Sequence, residues 1–293
     1  SVVAVSLGAE GDGVPPYVVM GYPSASRGPG FLGARAGYLY LTDTESGPAG
    51  LQRPAGVDLA RQARREKLLS RIRRRFLGKN LDDQQVRDYS ATADLGLKLA
   101  GPKFMSVFDL KTESDSLRSS YGSEFGQRCL LARRLVESGV RFVEVAFNLN
   151  FINGTGWDTH NEGQQQQHRL IDRLDQGFAA LISDLEKRNR LDRTLIVIAS
   201  EFGRPPEFDK GGGRGHYSKA FSVMLAGGGL KTGQAIGTTD ELGRKILDHP
   251  VSIPDLHATI YAALGINPAK ELYDGVRPVP ITDNGRAVGR ALA

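Results

Sequence analysis

Val140-Arg141-Phe142-Val143-Glu144-Val145-Ala146-Phe147 and Thr194-Leu195-Ile196-Val197-Ile198-Ala199-Ser200 are strand-like runs separated by a helical pattern. Between them Leu170, Ile171, Leu174, Phe178, Leu181, Ile182 and Leu185 recur at a helical period, which predicts one long helix from about Gly163 to Arg188. The second run is continuously apolar, as buried parallel strands are. Strand, helix, strand is a βαβ rhythm, so the fold class is α/β, with a mainly parallel central sheet and helices on its faces. If the two strands are parallel neighbours, the segments that follow them leave the sheet at one carboxyl edge. Open α/β sheets place their ligand sites along that edge.

The segment after the first strand carries Gly156-Trp157-Asp158-Thr159-His160, and Glu201 follows the second. A carboxylate and an imidazole two residues apart are the ligand types that a hard or borderline divalent metal takes. An isolated Asp-x-His pair, a pattern common by chance, is more often an Asx turn with a helix-capping histidine. Convergence with Glu201 at one sheet edge favours the metal.

Glu201-Phe202-Gly203-Arg204 leads into Asp209-Lys210-Gly211-Gly212-Gly213-Arg214-Gly215-His216-Tyr217. The glycines expose backbone N–H groups, and Arg204, Lys210, Arg214 and His216 add positive charge, a combination that can cradle phosphate or sulfate. No Gly-Lys-Ser/Thr opens a helix here, so this is not a P-loop. The plain alternative is a mobile surface loop.

The 293 residues are 40% hydrophobic and 24% charged, an ordinary globular composition. No apolar run is long enough to span a bilayer. The chain opens on Ser1-Val2-Val3-Ala4-Val5 with no secretory signal pattern and no initiator Met, as if an upstream portion had been removed. Cys129 is the one cysteine, which excludes an intramolecular disulfide. Much of the net charge of +5 sits in residues 61–75, where Leu68, Leu69, Ile72 and Phe76 are interleaved at helical spacing. Such a run can meet nucleic acid or an anionic surface; the reading adopted is a solvated face on a packed helix, with no nucleic acid as partner.

Residues 1 to about 55 are rich in Gly and Pro with one apolar run, Tyr17-Val18-Val19-Met20, and a loop, residues 27–33, with Phe31 docked. Helical pattern runs from Val57 to about Leu99, breaking at Gly78-Lys79-Asn80, and residues 106–123 read as irregular or as short helix with loops. A helix from Glu124 stops at Gly139, and Phe221 to Ala226 is a further strand. Pro254 starts and Gly265 ends a last helix, which holds a half-buried His257. His168 and His249 are not read as ligands.

These segments carry a resemblance. Gly156 to His160, Glu201 to Arg204, Gly213 to Tyr217, Leu225 to Gly229 and Asp255 to Ile260 look like the signature of the domain-of-unknown-function family numbered 1501. That family resembles the alkaline phosphatase and sulfatase superfamily. The resemblance implies a single three-layer α/β/α sandwich over residues 1–293, with a basic helical insertion at about 57–123 and the N-terminal part of the family domain absent. It also implies export to the periplasm, and a metal-binding hydrolytic site. Family members often have Asp-His where this chain has Gly215-His216.

The expected activity is hydrolysis of phosphate or sulfate esters, on a small anionic ester or a sulfated or phosphorylated polymer. Asp158, His160 and His216 would bind a divalent ion (zinc, manganese or calcium), with Glu201 near a second position. Arg204 and Arg214 would hold the anionic group. The rival expectation is a non-catalytic scaffold of the same fold that binds an anionic polysaccharide or a protein partner.

Overall fold

Tyr17–Met20 (β1) is an apolar tetrapeptide that can be buried on both faces, and it forms the centre of a parallel sheet. Leu39–Leu41 (β2) and Phe142–Val145 (β3) pair with it on either side, both parallel, in the order β2-β1-β3. Val18 and Val19 are fully buried. Tyr17 packs edge-on against Phe142, with ring centroids 5.1 Å apart, and its hydroxyl donates to Glu144 Oε2 at 2.8 Å. The structure is a computed structural model; it describes the whole chain except residues 22–27, 45, 49, 81, 148–155 and 161–162, and the side chain of residue 164.

The chain divides into two compact units. Ser1–Ser119 with Gln127–Phe147 form the first, and Ser120–Gly126 with Asn148–Ala293 the second. In the first, Leu59–Lys79 (α1) starts at Asp58, whose carboxylate caps the Arg61 N–H. It ends at Asn80, as the Gly78-Lys79-Asn80 break predicts, and Gln84–Leu99 (α2) follows under an Asp83 cap. Two short 3-10 turns and the helix Asp115–Tyr121 occupy the segment expected to be irregular. Glu124–Glu137 (α3) buries Leu130, Leu131 and Leu135 completely, and Gly139 turns the chain at φ 103°.

In the second unit Gly163–Lys187 (α4) is the expected long amphipathic helix. It is followed by Leu195–Ile198 (β4) and, beyond a long connection, Met224–Gly227 (β5). Ile253–Ala263 (α5) carries a reciprocal capping box between Ser252 and Asp255.

Three expectations are corrected. The run at 194–200, expected as a buried parallel strand, pairs antiparallel: β4 joins β5 in a two-stranded ladder. The connection from β4 to β5 contains no helix among its elements, and parallel pairing needs a crossover of that kind. β4 is accordingly only partly buried, and Val197 is exposed. Phe31 is not docked but exposed, and His257 is exposed on α5. The observed architecture is thus mixed α/β with a small three-stranded parallel sheet and several helices.

Candidate metal centre

Two segments of the second unit build the site. Asp158 and His160 sit just ahead of α4, and His216 lies in the connection between β4 and β5. That connection is pinned where Gly203 and Tyr217 exchange two backbone hydrogen bonds of 2.9 Å. The segments are tied to each other by the Arg214 N–H, which donates to Thr159 O at 3.2 Å. Gly213 makes the approach possible. A Cβ there would stand 2.0 Å from Thr159 O and 2.4 Å from His160 O, distances no side chain can occupy.

Asp158 Oδ1, His160 Nε2 and His216 Nε2 form a triangle. Its sides are 2.9 Å (Asp158 to His216), 3.0 Å (Asp158 to His160) and 3.1 Å (His160 to His216). These three residues are the one group of possible metal ligands among the described residues. The site is open to solvent, with the Asp158 side chain 52% exposed. The hydrogen bond from His216, followed by that from Arg204, holds the Asp158 carboxyl down at about 2, so it presents an anion.

Asp209 supplies a device that sequence reading missed. Its Oδ2 lies 3.2 Å from His160 Nδ1, while Oδ1 accepts the N–H groups of Gly211 at 3.2 Å and Gly213 at 3.0 Å. Desolvation opposes its ionisation, yet the hydrogen bonds from His160, Gly213 and Gly211 outweigh that and keep the carboxyl below its ordinary value. An ionised carboxylate only accepts, so Asp209 draws a proton to His160 Nδ1 and leaves Nε2 as the ring atom that an ion in the triangle would take. An aspartate two residues ahead of a glycine run was a visible signal for such an anchored turn. The Asp209 bonds, with that from the Arg214 N–H to Thr159 O, tie the loop back on itself and to the Asp158 segment. Phe202 backs His216, with ring centroids 4.2 Å apart at 33°.

Arg204 makes four hydrogen bonds at the site. Its Nη2 donates to Asp158 Oδ1 at 2.9 Å and to Trp157 O at 3.0 Å. Its Nη1 donates to Arg214 O at 2.8 Å and Gly215 O at 3.4 Å. It therefore staples the two ligand-bearing segments. Arg214 lies over the Phe208 ring at 4.4 Å and donates to Pro205 O at 3.0 Å. Gln167, His168, Ile171, Arg204 and Arg214 line an open cleft of about 240 Å³. Glu201 is exposed and is not brought into the group of donors. Thr159 is 2% exposed and donates to Gln167 Oε1 at 3.3 Å, which makes it a packing residue.

The donor set fits a divalent ion. For metal–donor bonds of about 2.1 Å, donors at right angles stand about 3.0 Å apart and tetrahedral donors about 3.4 Å. The observed sides are hydrogen-bond contacts, and they bring two histidines and one carboxylate close enough together to share one ion.

No curated protein and no solved structure matches the chain. A family match covers residues 1–292, and it lends no support to the expected absence of an N-terminal part of the family domain. The family is the one described as protein of unknown function (DUF1501), and the chain belongs to it.

Proposed function

We propose that this protein is a metal-dependent hydrolase of phosphate or sulfate esters, with Asp158, His160 and His216 as the metal ligands. The observation that carries the reading is the triangle of donor atoms with sides of 2.9–3.1 Å, one corner of which Asp209 orients. Two imidazoles with one carboxylate favour zinc or manganese over calcium, which prefers shells of oxygen alone. Bound there, such an ion acts as a Lewis acid and lowers the pKa of a coordinated water.

The chain's own residues supply the rest. Asp209 fixes the His160 tautomer, as carboxylates do behind metal-ligating histidines. Arg204 holds Asp158 in register with the His216 segment. Arg214, at the wall of the cleft of about 240 Å³, would meet the anionic ester. The three-layer sandwich of the alkaline phosphatase and sulfatase superfamily is supported by the resemblance and by the parallel β2-β1-β3 sheet. Export to the periplasm is supported by the resemblance.

The rival, a non-catalytic scaffold that binds an anionic polysaccharide or a protein partner, is favoured by one observation. Glu201 stands outside the donor group, so among the described residues no second metal position is built around it. Assay of chromogenic aryl phosphates and aryl sulfates after loading with zinc or manganese separates the two. Turnover lost in His160→Ala supports the hydrolase; stoichiometric metal without turnover of either ester class supports the scaffold.

A further inference from the structure

Helix α1 faces the wrong way for a packed helix. None of its residues is buried, and its Arg73 reaches α2 through Asp94 at 2.7 Å and the Ser90 side chain at 3.0 Å. The side toward the protein is thus polar. Leu68, Leu69, Ile72 and Phe76 are 59%, 43%, 57% and 57% exposed. The packed-helix reading of residues 61–75 fails here, because spacing reveals a stripe but not the direction in which it points.

On a helical projection those four side chains fall within an arc of about 100°. Arg64, Arg71 and Arg75 run along one border and Arg65 stands inside it. The helix carries nine lysines and arginines against one glutamate, and every cation except Arg73 is exposed. We infer that α1 is a membrane-surface helix that lays its Leu68-Leu69-Ile72-Phe76 stripe on an anionic phospholipid bilayer.

The charge selects this occupant. Arginine side chains beside an apolar stripe extend to phosphates while their stems cover apolar surface, the pattern of interfacial helices. A second copy of the same helix would set two strongly cationic surfaces against each other. Nucleic acid would use the cations but leave the four apolar side chains in water. The metal centre plays no part in this inference.

The test is flotation of the full chain with vesicles of phosphatidylglycerol mixed with phosphatidylcholine, against vesicles of phosphatidylcholine alone. Binding is expected only to the anionic vesicles and should weaken as salt rises. The pair Leu69→Ser with Phe76→Ser, and separately Arg71→Gln with Arg75→Gln, should each weaken it about tenfold or more. All four positions are exposed, and an unchanged circular dichroism spectrum checks the fold. Four results would overturn the inference: no flotation, equal binding to neutral vesicles, binding indifferent to Leu69→Ser with Phe76→Ser, or a dimer that this apolar pair dissolves. Duplex DNA bound more tightly than the vesicles and indifferent to that pair would replace the bilayer with nucleic acid.

Discussion

The Nε2 atoms of His160 and His216 stand 3.1 Å apart, and both lie within 3.0 Å of the same oxygen of Asp158. With Asp209 accepting at His160 Nδ1, potential donor atoms from residues far apart in sequence converge on one point. Such convergence is relieved by a shared proton or by a cation. A divalent cation is the proposed partner here.

Asp209→Asn keeps the shape of the turn but removes the charge behind His160. Metal affinity should fall about 10–100-fold, the usual loss when a partner behind a metal-ligating histidine is changed. Competition against a chromogenic chelator measures it; an unchanged affinity would mean that Asp209 serves only the turn.

Gly213→Ala places a methyl group where Thr159 O and His160 O already stand. The two ligand-bearing segments must part, so metal uptake should be lost while the first unit keeps its stability. Metal titration beside thermal unfolding of the variant checks this. Full metal occupancy in the variant would show that the close approach is dispensable.

Asp158 should stay ionised down to about pH 2, with the hydrogen bond from His216 as the largest cause. Because the folded pKa lies below the unfolded value of about 3.9, the stabilising contribution is present above that value. It is lost as pH falls from about 4 through 2. Water screens a carboxylate whose side chain is 52% exposed, so the effect on stability is small and the titration itself is the readout. A carbon-13 titration of the metal-free protein should place the midpoint near 2, rising toward the ordinary range in His216→Ala. An equal midpoint in both proteins would remove His216 as the cause.

Burial pushes the Cys129 thiol up to about 12, so thiol reagents at pH 8 should label it only when the first unit opens. Leu131, fully buried two residues along the same helix, should cost about 2–5 kcal/mol when cut to Ala. Even the lower figure raises the open population, and hence labelling under fast reclosing, roughly 30-fold. Labelling at an unchanged rate would contradict this placement of the core.

Helix boundaries were legible where chemistry punctuates them. The break at Gly78-Lys79-Asn80 and the stop at Gly139 are set by local rules, and Pro254 marks the start of α5 within its first turn. Strand partners were not, because a continuous apolar run such as Leu195–Ile198 has no period that tells parallel from antiparallel. The short strand Leu39–Leu41 escaped notice because three residues carry no pattern at all. Within the site, Asp158, His160 and His216 were legible as ligand types, and the structure brings them together. It does so although β4 pairs antiparallel and not as the expected parallel strand. Tied backbone between α4 and the β4–β5 connection makes the convergence. Arg204 illustrates the remaining gap: its charge was visible, but its acceptors at Trp157, Arg214 and Gly215 exist only in the fold.

The most direct measurement is elemental analysis of the protein purified without chelators, beside His216→Ala. Near one equivalent of zinc or manganese in the parent, lost in His216→Ala while the fold is kept, is the predicted result. A parent protein that stays metal-free after incubation with either ion would contradict the metal centre and, with it, the hydrolase.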